Sequence, residues 1–295
     1  MISYLLKLVS WIFERVPVSI GRGLSWVIAF SAFSILRIRR KIVMENLQYA
    51  FGNEYGPSRL KEIAFGSYRH FALMLFEFIR FPALEDKDFI ENIPIIGLEN
   101  YQAATKQKRG LISISGHLGN WELALARLEL FNHDVIAYAK QIHNSSVNDW
   151  VVSIRSSRNI TTVGTRYSIR NIIHTLKDNR LLGLLIDQDA GKSGIFIDFL
   201  NRSASTYKGA AYCAIKSETP ILFALAIRNK DNSYDLTLTP PIFVDKNQPM
   251  DDEIFRITKE ITNQLEYYIR EYPEQYFWFH RRWKTKPLEN KKVES

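Results

Sequence analysis

The sequence of 295 residues contains a single cysteine, Cys213. One cysteine excludes an intrachain disulfide framework and suits a protein of a reducing compartment. Cys213 lies in the apolar stretch 209–217, where we expect a buried helix, and no neighbouring side chain would lower the pKa of its thiol. We therefore interpret Cys213 as an inert core thiol.

A long uncharged apolar run is also missing. Residues 2–13 are apolar but carry Lys7, and residues 16–36 are apolar but carry Arg22, so the longest charge-free run covers only residues 23–36. A membrane-spanning helix needs about 20 predominantly apolar residues, and no small-residue cleavage site of a signal peptide is present. We interpret residues 1–36 as a membrane anchor that either lies in the interface or spans it marginally. If the anchor spans, the positive-inside rule places residues 37–41 and the following body in the cytoplasm.

Several common functional motifs are absent from the sequence. There is no G-x-S-x-G nucleophile elbow, no His-Glu-x-x-His zinc motif, no Walker A loop and no Rossmann glycine pattern. Zinc-finger spacings, an RNP-like motif and an obvious helix-turn-helix are absent too, so we expect no nucleic-acid partner despite the net charge of +8.

The positive charge is concentrated in two segments. One lies at residues 37–41, directly after the apolar run, and the other at residues 281–292. Basic residues beside an apolar segment are typical of binding to an anionic membrane surface, where each contributes about 1 kcal/mol. For the C-terminal segment, a solvated basic face remains the alternative.

Strand and helix patterns alternate along most of the remaining chain. Strands are predicted at residues 93–97, 110–115, 181–186, 220–227 and 233–240. Helices are predicted within residues 41–85 and at residues 121–130, 170–180, 209–217 and 251–272. The alternation predicts an α/β fold, with a mostly parallel sheet covered by helices and an N-terminal hydrophobic membrane-anchoring helix.

The same patterns suggest how the chain is divided. Residues 1–41 would form the anchor and its basic cluster, and residues 42–105 a helical layer. Residues 106–287 would form a catalytic α/β core, and residues 288–295 a polar tail. We expect residues 42–287 to fold as one domain.

The turn between the strand at 110–115 and the next helix carries a histidine, His117. Asn120 stands where a helix N-cap is wanted, and Glu122 falls in the first helical turn, where the helix dipole favours a carboxylate. Such a turn lies at the carboxyl end of a strand, where ligands bind in open α/β sheets. A neutral imidazole near a carboxylate can act as a general base for a hydroxyl nucleophile. Taken alone, the pair is weak evidence for catalysis and is more typical of a capping glutamate beside a structural histidine.

Two other interpretations follow from the residues. A metal site could be assembled from His117, Asp187, Asp189 and His280, but their spacings match no metal-binding framework, so we expect none. A non-enzymatic membrane-binding protein would explain the anchor and the basic clusters. It would give no reason for the His117–Glu122 pair, and replacement of His117 would not affect it.

Four stretches, residues 116–124, 181–211, 217–228 and 272–287, resemble in this order motifs of the lysophospholipid acyltransferase superfamily, and within it of the late acyltransferases of lipid A biosynthesis. "GHLGNWELA" (116–124) resembles the superfamily's H-x4-(D/E) signature. Residues 181–211 resemble the branch's Asp-Gln-Asp block, and residues 217–228 its next helix–strand junction. "YPEQYFWFHRRWKTKP" (272–287) resembles its C-terminal signature. The resemblance implies a fold of the glycerolphosphate-acyltransferase type.

The resemblance also implies a reaction. An acyl chain would pass from a thioester donor, acyl carrier protein or acyl-CoA, to a hydroxyl of a glycolipid acceptor, most directly a lipid A precursor. His117 would be the general base, Glu122 would orient it, and no cofactor would be needed. The backbone amides of Gly119 and Asn120, or an arginine, would stabilise the oxyanion.

The resemblance leaves several details open. The arginine could be Arg155 or Arg158, and we favour Arg158. Asp187 and Asp189 would line the acceptor site, although Asp189 could instead cap a loop. The sequence departs from the branch at Asn201, where a glycine is usual, but asparagine also tolerates a left-handed conformation.

An acyl groove is expected between the sheet and the N-terminal helices. The aromatic and basic residues 278–283 would form either an interfacial belt or the closing packing of the domain. The implied location is the cytoplasmic face of a bacterial inner membrane. Other hydroxyl-bearing glycolipids or aminolipids, or water in a thioesterase or lipid hydrolase, remain alternative acceptors.

Overall fold

A computed structural model describes residues 2–131, 134–164 and 167–287. The predicted polar tail at 288–295, together with Lys291 and Lys292 of the C-terminal basic segment, lies outside the described residues.

Eleven helices are described. They are α1 (Ile2–Arg15), α2 (Val18–Phe30), α3 (Arg40–Phe51), α4 (Pro57–Ile79), α5 (Asp86–Asn92), α6 (Leu98–Thr105), α7 (Trp121–Glu129), α8 (Ser145–Ser156), α9 (Ile169–Lys177), α10 (Gly209–Ser217) and α11 (Met250–Glu271). A π-helical segment, Ser31–Ile35, continues α2. The helices predicted from the periodicity of the sequence are present, and α5, α6 and α8 are additions to them.

Nine strands are described. They are β1 (Ile95–Ile96), β2 (Leu111–Ser115), β3 (Val135–Tyr138), β4 (Thr161–Val163), β5 (Leu181–Leu185), β6 (Ile195–Phe199), β7 (Arg202–Thr206), β8 (Ile221–Arg228) and β9 (Tyr234–Leu238). All but β6 and β7 form one sheet, in the order β1-β9-β8-β2-β5-β3-β4. Each neighbouring pair is parallel except β8 and β9. The expected α/β fold with a mostly parallel, helix-covered sheet is confirmed.

Strands β6 and β7 form a separate antiparallel hairpin that the sequence did not predict. Their turn is made by Leu200 and Asn201, both left-handed, with φ of 50° and 63°. Asn201 therefore adopts the left-handed conformation that was expected where the family usually has glycine.

The two faces of the sheet carry separate hydrophobic cores. One face, with Ile112 and Phe223 among its side chains, packs against α9, α10, α11 and the N-terminal helices. The other face, with Leu111 and Ala224, packs against α5, α6, α7 and α8. Cys213 is buried in the first core, and burial raises the pKa of its thiol to about 11, so it cannot react readily as a thiolate.

Candidate active site

Two neighbouring strands end at the point where the candidate residues lie. In the parallel pair β2 and β5, Ser115 is the partner of Leu185. The amide of Ile186 then donates to the carbonyl of Ser115 (3.2 Å). Because parallel strands keep the same register, His117 and Asp187, each two residues further on, come to lie side by side.

Asp187 is the carboxylate partner of His117. The Nδ1 of His117 lies 2.7 Å from Oδ1 of Asp187, and the His117 backbone amide donates to Oδ2 at 2.9 Å. The Asp187 side chain is fully buried, whereas the His117 side chain is 14% exposed. Burial alone would raise the pKa of Asp187, but its contacts with His117 outweigh burial and hold that pKa well below its usual range. The arrangement is a buried carboxylate that fixes an accessible imidazole.

The expectation that Glu122 orients His117 is therefore wrong, because the carboxylate hydrogen-bonded to His117 is that of Asp187. Glu122 accepts two hydrogen bonds from Arg155, at 2.6 and 2.9 Å, and one from Trp121 Nε1 at 3.2 Å. Its position in the first turn of α7 aims it toward α8, where Arg155 lies. Burial opposes the charge of Arg155, but Glu122 outweighs burial and raises the pKa of the guanidinium.

Glu122 and Arg155 line a cavity of about 60 Å³ between α7, α8 and the sheet. Its floor is formed by small residues of adjacent strands, including Ser113, Ala137 and Gly183. Its wall includes Trp121, whose ring lies 4.9 Å from the ring of His117. The cavity thus adjoins the histidine. It lies on the face opposite the one expected for an acyl groove, since core side chains fill the space toward the N-terminal helices.

The backbone amides predicted to stabilise an oxyanion already have acceptors. The amide of Gly119 donates to the carbonyl of Gln275 at 3.1 Å, and that of Asn120 donates to the carbonyl of Ala226 at 2.8 Å. Asn120 is the N-cap of α7, as predicted, because its side chain accepts from the amide of Leu123. Gly119 has a φ of 61°, and a Cβ there would lie 2.2 Å from the Ala226 carbonyl oxygen. Both residues shape the turn, and their amides are not free oxyanion donors.

Helix α4 supports the turn that carries His117 through hydrogen bonds to Gly119 and Asn120. His70 donates from Nε2 to the carbonyl of Gly119 at 3.0 Å, and burial lowers the pKa of His70 to about 3. Glu77 accepts hydrogen bonds from Asn120 (3.1 Å), Tyr234 (2.6 Å) and, through two nitrogens, Arg228 (2.6 and 2.7 Å). This network, in which Glu77 is partly exposed and its donors are buried, positions the turn, and no pattern in the sequence indicated it.

A C-terminal strap, defined here as residues 273–283, crosses the same edge of the sheet. The amide of Phe277 donates to the carbonyl of His117 at 2.8 Å, so strap and turn are paired backbone to backbone. The strap brings the ring of His280 to 4.4 Å from that of His117. Burial lowers the pKa of His280 to about 4, which keeps its ring neutral at pH 7. The buried Trp278 and Trp283 show that this segment packs into the domain and forms no interfacial belt.

Two other predicted site residues have structural positions. Arg158 follows the C-terminal end of α8 and is buried, where it pairs with Asp86 and covers the ring of Phe89 at 4.5 Å. Asp189 accepts from the amide of Gly191 and from the amide and hydroxyl of Thr285. Arg158 therefore does not reach the site, and Asp189 caps a loop, the alternative left open from the sequence.

The four residues considered for a metal are only partly brought together. Nitrogen or oxygen atoms of His117, Asp187 and His280 lie within 4.8 Å of one another. Asp189 points away from them, toward Thr285. The short Nδ1–Oδ1 contact of His117 and Asp187 is a hydrogen bond, so the geometry is that of a histidine–carboxylate pair.

Comparison with known proteins identifies the family. The profile of the bacterial lipid A biosynthesis acyltransferases matches residues 1–285. The chain belongs to this family. It is 26% identical, over 283 residues, to a lipid A biosynthesis palmitoleoyltransferase of Escherichia coli (strain K12), covering 95% of this chain and 90% of the relative. It is 24% identical, with the same coverage, to a lipid A biosynthesis lauroyltransferase of that strain.

A more distant relative belongs to another lipid pathway. A phosphatidylinositol mannoside acyltransferase of Mycolicibacterium smegmatis (strain ATCC 700084 / mc(2)155) is 22% identical over 211 residues, covering 70% of this chain and 67% of the relative. Membership of the family makes the protein an O-acyltransferase.

Proposed function

We propose that the protein transfers a fatty acyl chain from a thioester to a hydroxyl of a lipid A precursor, with His117 as the general base. The observation that carries this proposal is the His117 ring, held by the buried carboxylate of Asp187 at the carboxyl edge of the sheet. The names of the relatives support the acceptor, since two of them acylate in lipid A biosynthesis.

The hydrogen bonding of His117 suits it to accept a proton. Its Nδ1–H donates to Asp187, which leaves the lone pair of Nε2 for the acceptor hydroxyl. As the hydroxyl oxygen attacks the thioester carbon, its proton moves to Nε2 and the carbonyl electrons move to oxygen. The negative charge of Asp187 stabilises the imidazolium, and a positioned base of this kind contributes roughly 10²–10⁴ in rate.

Collapse of the tetrahedral intermediate completes the transfer. The carbonyl re-forms, the carbon–sulfur bond breaks, and the departing thiolate takes the proton from Nε2 of His117. No redox step or cofactor enters this balance. Of the two arginines considered for the oxyanion, we assign the role to Arg155, because it lines the cavity that adjoins His117 through Trp121.

We further propose that the donor is acyl carrier protein or acyl-CoA and that the enzyme works on the cytoplasmic face of a bacterial inner membrane. The cytoplasm contains both thioesters, and a single buried cysteine suits that compartment. Exposed apolar side chains on α1 and α2, followed by the basic residues 37–41, support contact with an anionic membrane surface.

The test is an acyl-transfer assay in detergent with a purified lipid A precursor. Labelled acyl carrier protein and labelled acyl-CoA are offered separately, and labelled lipid and free fatty acid are both measured. We expect His117→Ala to abolish labelled lipid with either donor. The matched control is His174→Ala, since His174 forms a similar pair with Asp178 (2.8 Å) on the exposed surface of α9.

Each outcome has a distinct meaning. Labelled lipid from wild type and His174→Ala, but not from His117→Ala, supports the proposal. Free fatty acid as the main product, unchanged by adding acceptor, would assign a thioesterase. Transfer only to a different glycolipid or an aminolipid would refute the lipid A precursor as the acceptor. Full transfer by His117→Ala would refute His117 as the general base.

A further inference from the structure

The N-terminal helices α1 and α2 present a broad apolar surface that no described part of the chain covers. Large hydrophobic side chains at least 39% exposed occur along both helices and the turn after them: Ile2, Tyr4, Leu5, Leu8, Trp11, Ile12, Val18, Ile20, Leu24, Trp26, Val27, Ile28, Phe30, Ile35, Leu36 and Ile38. Soluble monomers rarely expose a contiguous apolar surface of this extent, so it marks a partner. The residues Val18–Ile35 are long and apolar enough to cross a membrane by length and composition.

The opposite side of α2 is packed against the body of the protein. Its buried residues Gly21, Ser25 and Ala29 are small and allow a close approach to α4. A Cβ on Gly21 would lie 2.0 Å from the ring of Phe76, near the C-terminal end of α4. Further along, Trp26 packs edge-on against Phe65, in the first half of α4. The contact therefore follows most of the length of α2.

Helix α1 is also hydrogen-bonded to the body of the protein. Trp150 of α8 donates to the hydroxyl of Ser10 at 2.8 Å. Arg80, at the end of α4, donates to the carbonyls of Phe13 and Val16, at 2.6 and 2.5 Å. These bonds hold the connection between α1 and α2 against the folded core.

This packing conflicts with a spanning helix. A spanning helix passes through about 30 Å of hydrocarbon, whereas α2 has α4 along one side. Helix α4 cannot enter the hydrocarbon with it, because Ser67 donates to the carbonyl of Tyr276 and His70 to that of Gly119, in the centre of the fold.

Helices α1 and α2 and the turn after them (residues 2–36), called the hairpin below, are followed by a basic turn (residues 37–41) that adjoins the candidate active site. Arg37, Arg39 and Lys41 are exposed, and Arg39 donates to the carbonyl of Phe279 at 2.8 Å. Phe279 precedes His280, whose ring contacts His117. The apolar surface, the basic turn and the candidate active site are therefore arranged in that order. In a leaflet, the acyl chains are followed in the same way by the anionic headgroups.

We propose that residues 2–36 form an in-plane hairpin seated in one leaflet of an anionic bilayer, which keeps both ends of the hairpin on the side of the catalytic body. This inference rests on the membrane association proposed above and decides between the two arrangements that the sequence left open. The basic turn then lies among the headgroups, next to the histidine that would receive the acceptor hydroxyl.

The decisive experiment is cysteine labelling in native membranes. The buried Cys213 is first replaced by serine, and a single cysteine is then introduced as Lys7→Cys in α1 or as Lys106→Cys in the body, both exposed positions. A membrane-impermeant maleimide is applied to right-side-out and to inverted vesicles. Retained acyl transfer and full labelling in detergent show that each variant is folded and reactive.

We expect both cysteines to be labelled from the same side. Labelling of Lys7→Cys from the side opposite to Lys106→Cys, or failure to label it from the Lys106 side, would overturn the in-plane hairpin and leave the acyl transfer untouched.

A vesicle-binding measurement tests the underlying membrane association separately. The purified full-length protein is mixed with vesicles of phosphatidylcholine alone or with added phosphatidylglycerol. We expect tighter binding to the anionic vesicles and a loss of about fivefold for each of Arg37→Gln and Lys41→Gln. The control, Lys106→Gln, removes an exposed charge at the end of α6, in the body of the protein. No binding to either vesicle would overturn membrane association itself. Binding that does not depend on charge would overturn the proposed contact of the basic turn with anionic headgroups.

Discussion

Replacement of Asp187 by asparagine should inactivate the enzyme without unfolding it. His117 donates two hydrogen bonds to the carboxylate, one from its backbone amide at 2.9 Å and one from its ring at 2.7 Å. The backbone N–H can only donate, so the single amide oxygen of asparagine must stay opposite it. The asparagine NH₂ group then faces Nδ1 of the ring and requires Nδ1 to accept. The ring proton moves to Nε2, and the nitrogen that should receive the acceptor's proton already carries one.

The magnitude follows from the loss of the base and of the charge that stabilises the imidazolium. We expect the rate of acyl transfer by Asp187→Asn to fall by roughly 10²–10⁴, which corresponds to about 3–5 kcal/mol of transition-state free energy. The free energy of unfolding should fall, because the lowered pKa of Asp187 means that its charge stabilises the folded state. The side chain keeps its shape and both contacts remain hydrogen-bonded, so the variant should still fold.

The assay is single-turnover transfer from a labelled acyl thioester, with thermal unfolding of the same preparations. Asp178→Asn is the matched control, since Asp178 makes a similar contact with His174 at the surface, where both side chains are more than half exposed. A variant Asp187→Asn that transfers within about threefold of the wild-type rate would refute the histidine–carboxylate pair, even if His117 itself proved essential.

Three further predictions concern the residues around this pair. Glu122→Gln leaves the buried Arg155 without its anion and should lower the unfolding free energy, measured by chemical denaturation, by roughly 3 kcal/mol. The double replacement Glu122→Gln, Arg155→Gln should recover part of this loss. Burial holds His70 neutral with a pKa of about 3, below its pKa in the unfolded chain, so its contribution to stability is complete above pH 6.5 and declines as the pH falls. When the pH is lowered from 7.5 to 5, the unfolding free energy of His70→Gln, which keeps a donor for Gly119, should therefore decrease by about 2 kcal/mol less than that of the wild type. Arg158→Gln should lower the melting temperature while kcat and KM for acyl transfer stay unchanged, and a selective loss of kcat would restore the oxyanion role expected from the sequence.

The general architecture could be predicted from periodicity because the central strands are short, apolar and separated by amphipathic helices. The strands at 110–115, 181–186 and 220–227 are all present, with bounds shifted by a residue at most. The β6–β7 hairpin could not be predicted, because it follows the Asp-Gln-Asp block without an Asn-Gly or Asp-Gly turn signal. Leu200 and Asn201 make its turn instead, and a left-handed leucine has no signature in a sequence.

The site was predictable by residue type but not by pairing. His117, Glu122 and Asp187 were identified as candidates, yet the sequence alone favoured the pair closest along the chain. The true partner of His117 depends on β5 lying next to β2, with Ser115 opposite Leu185. Strand order is a property of the whole sheet, and nothing local in a single sequence specifies it. The same holds for His280, which reaches His117 only because the C-terminal strap crosses the sheet edge.

Helix α4 connects the two functional surfaces of the protein. One side of it receives α2, through the contact of Gly21 with Phe76. Its other contacts support the active-site turn, through His70 at the Gly119 carbonyl and Glu77 at the side-chain amide of Asn120. The elements that would seat the protein on a leaflet and those that hold the His117 turn therefore share one rigid helix of 23 residues. Helix α4 contacts this turn at Gly119, where a positive φ and a close carbonyl leave the backbone little freedom.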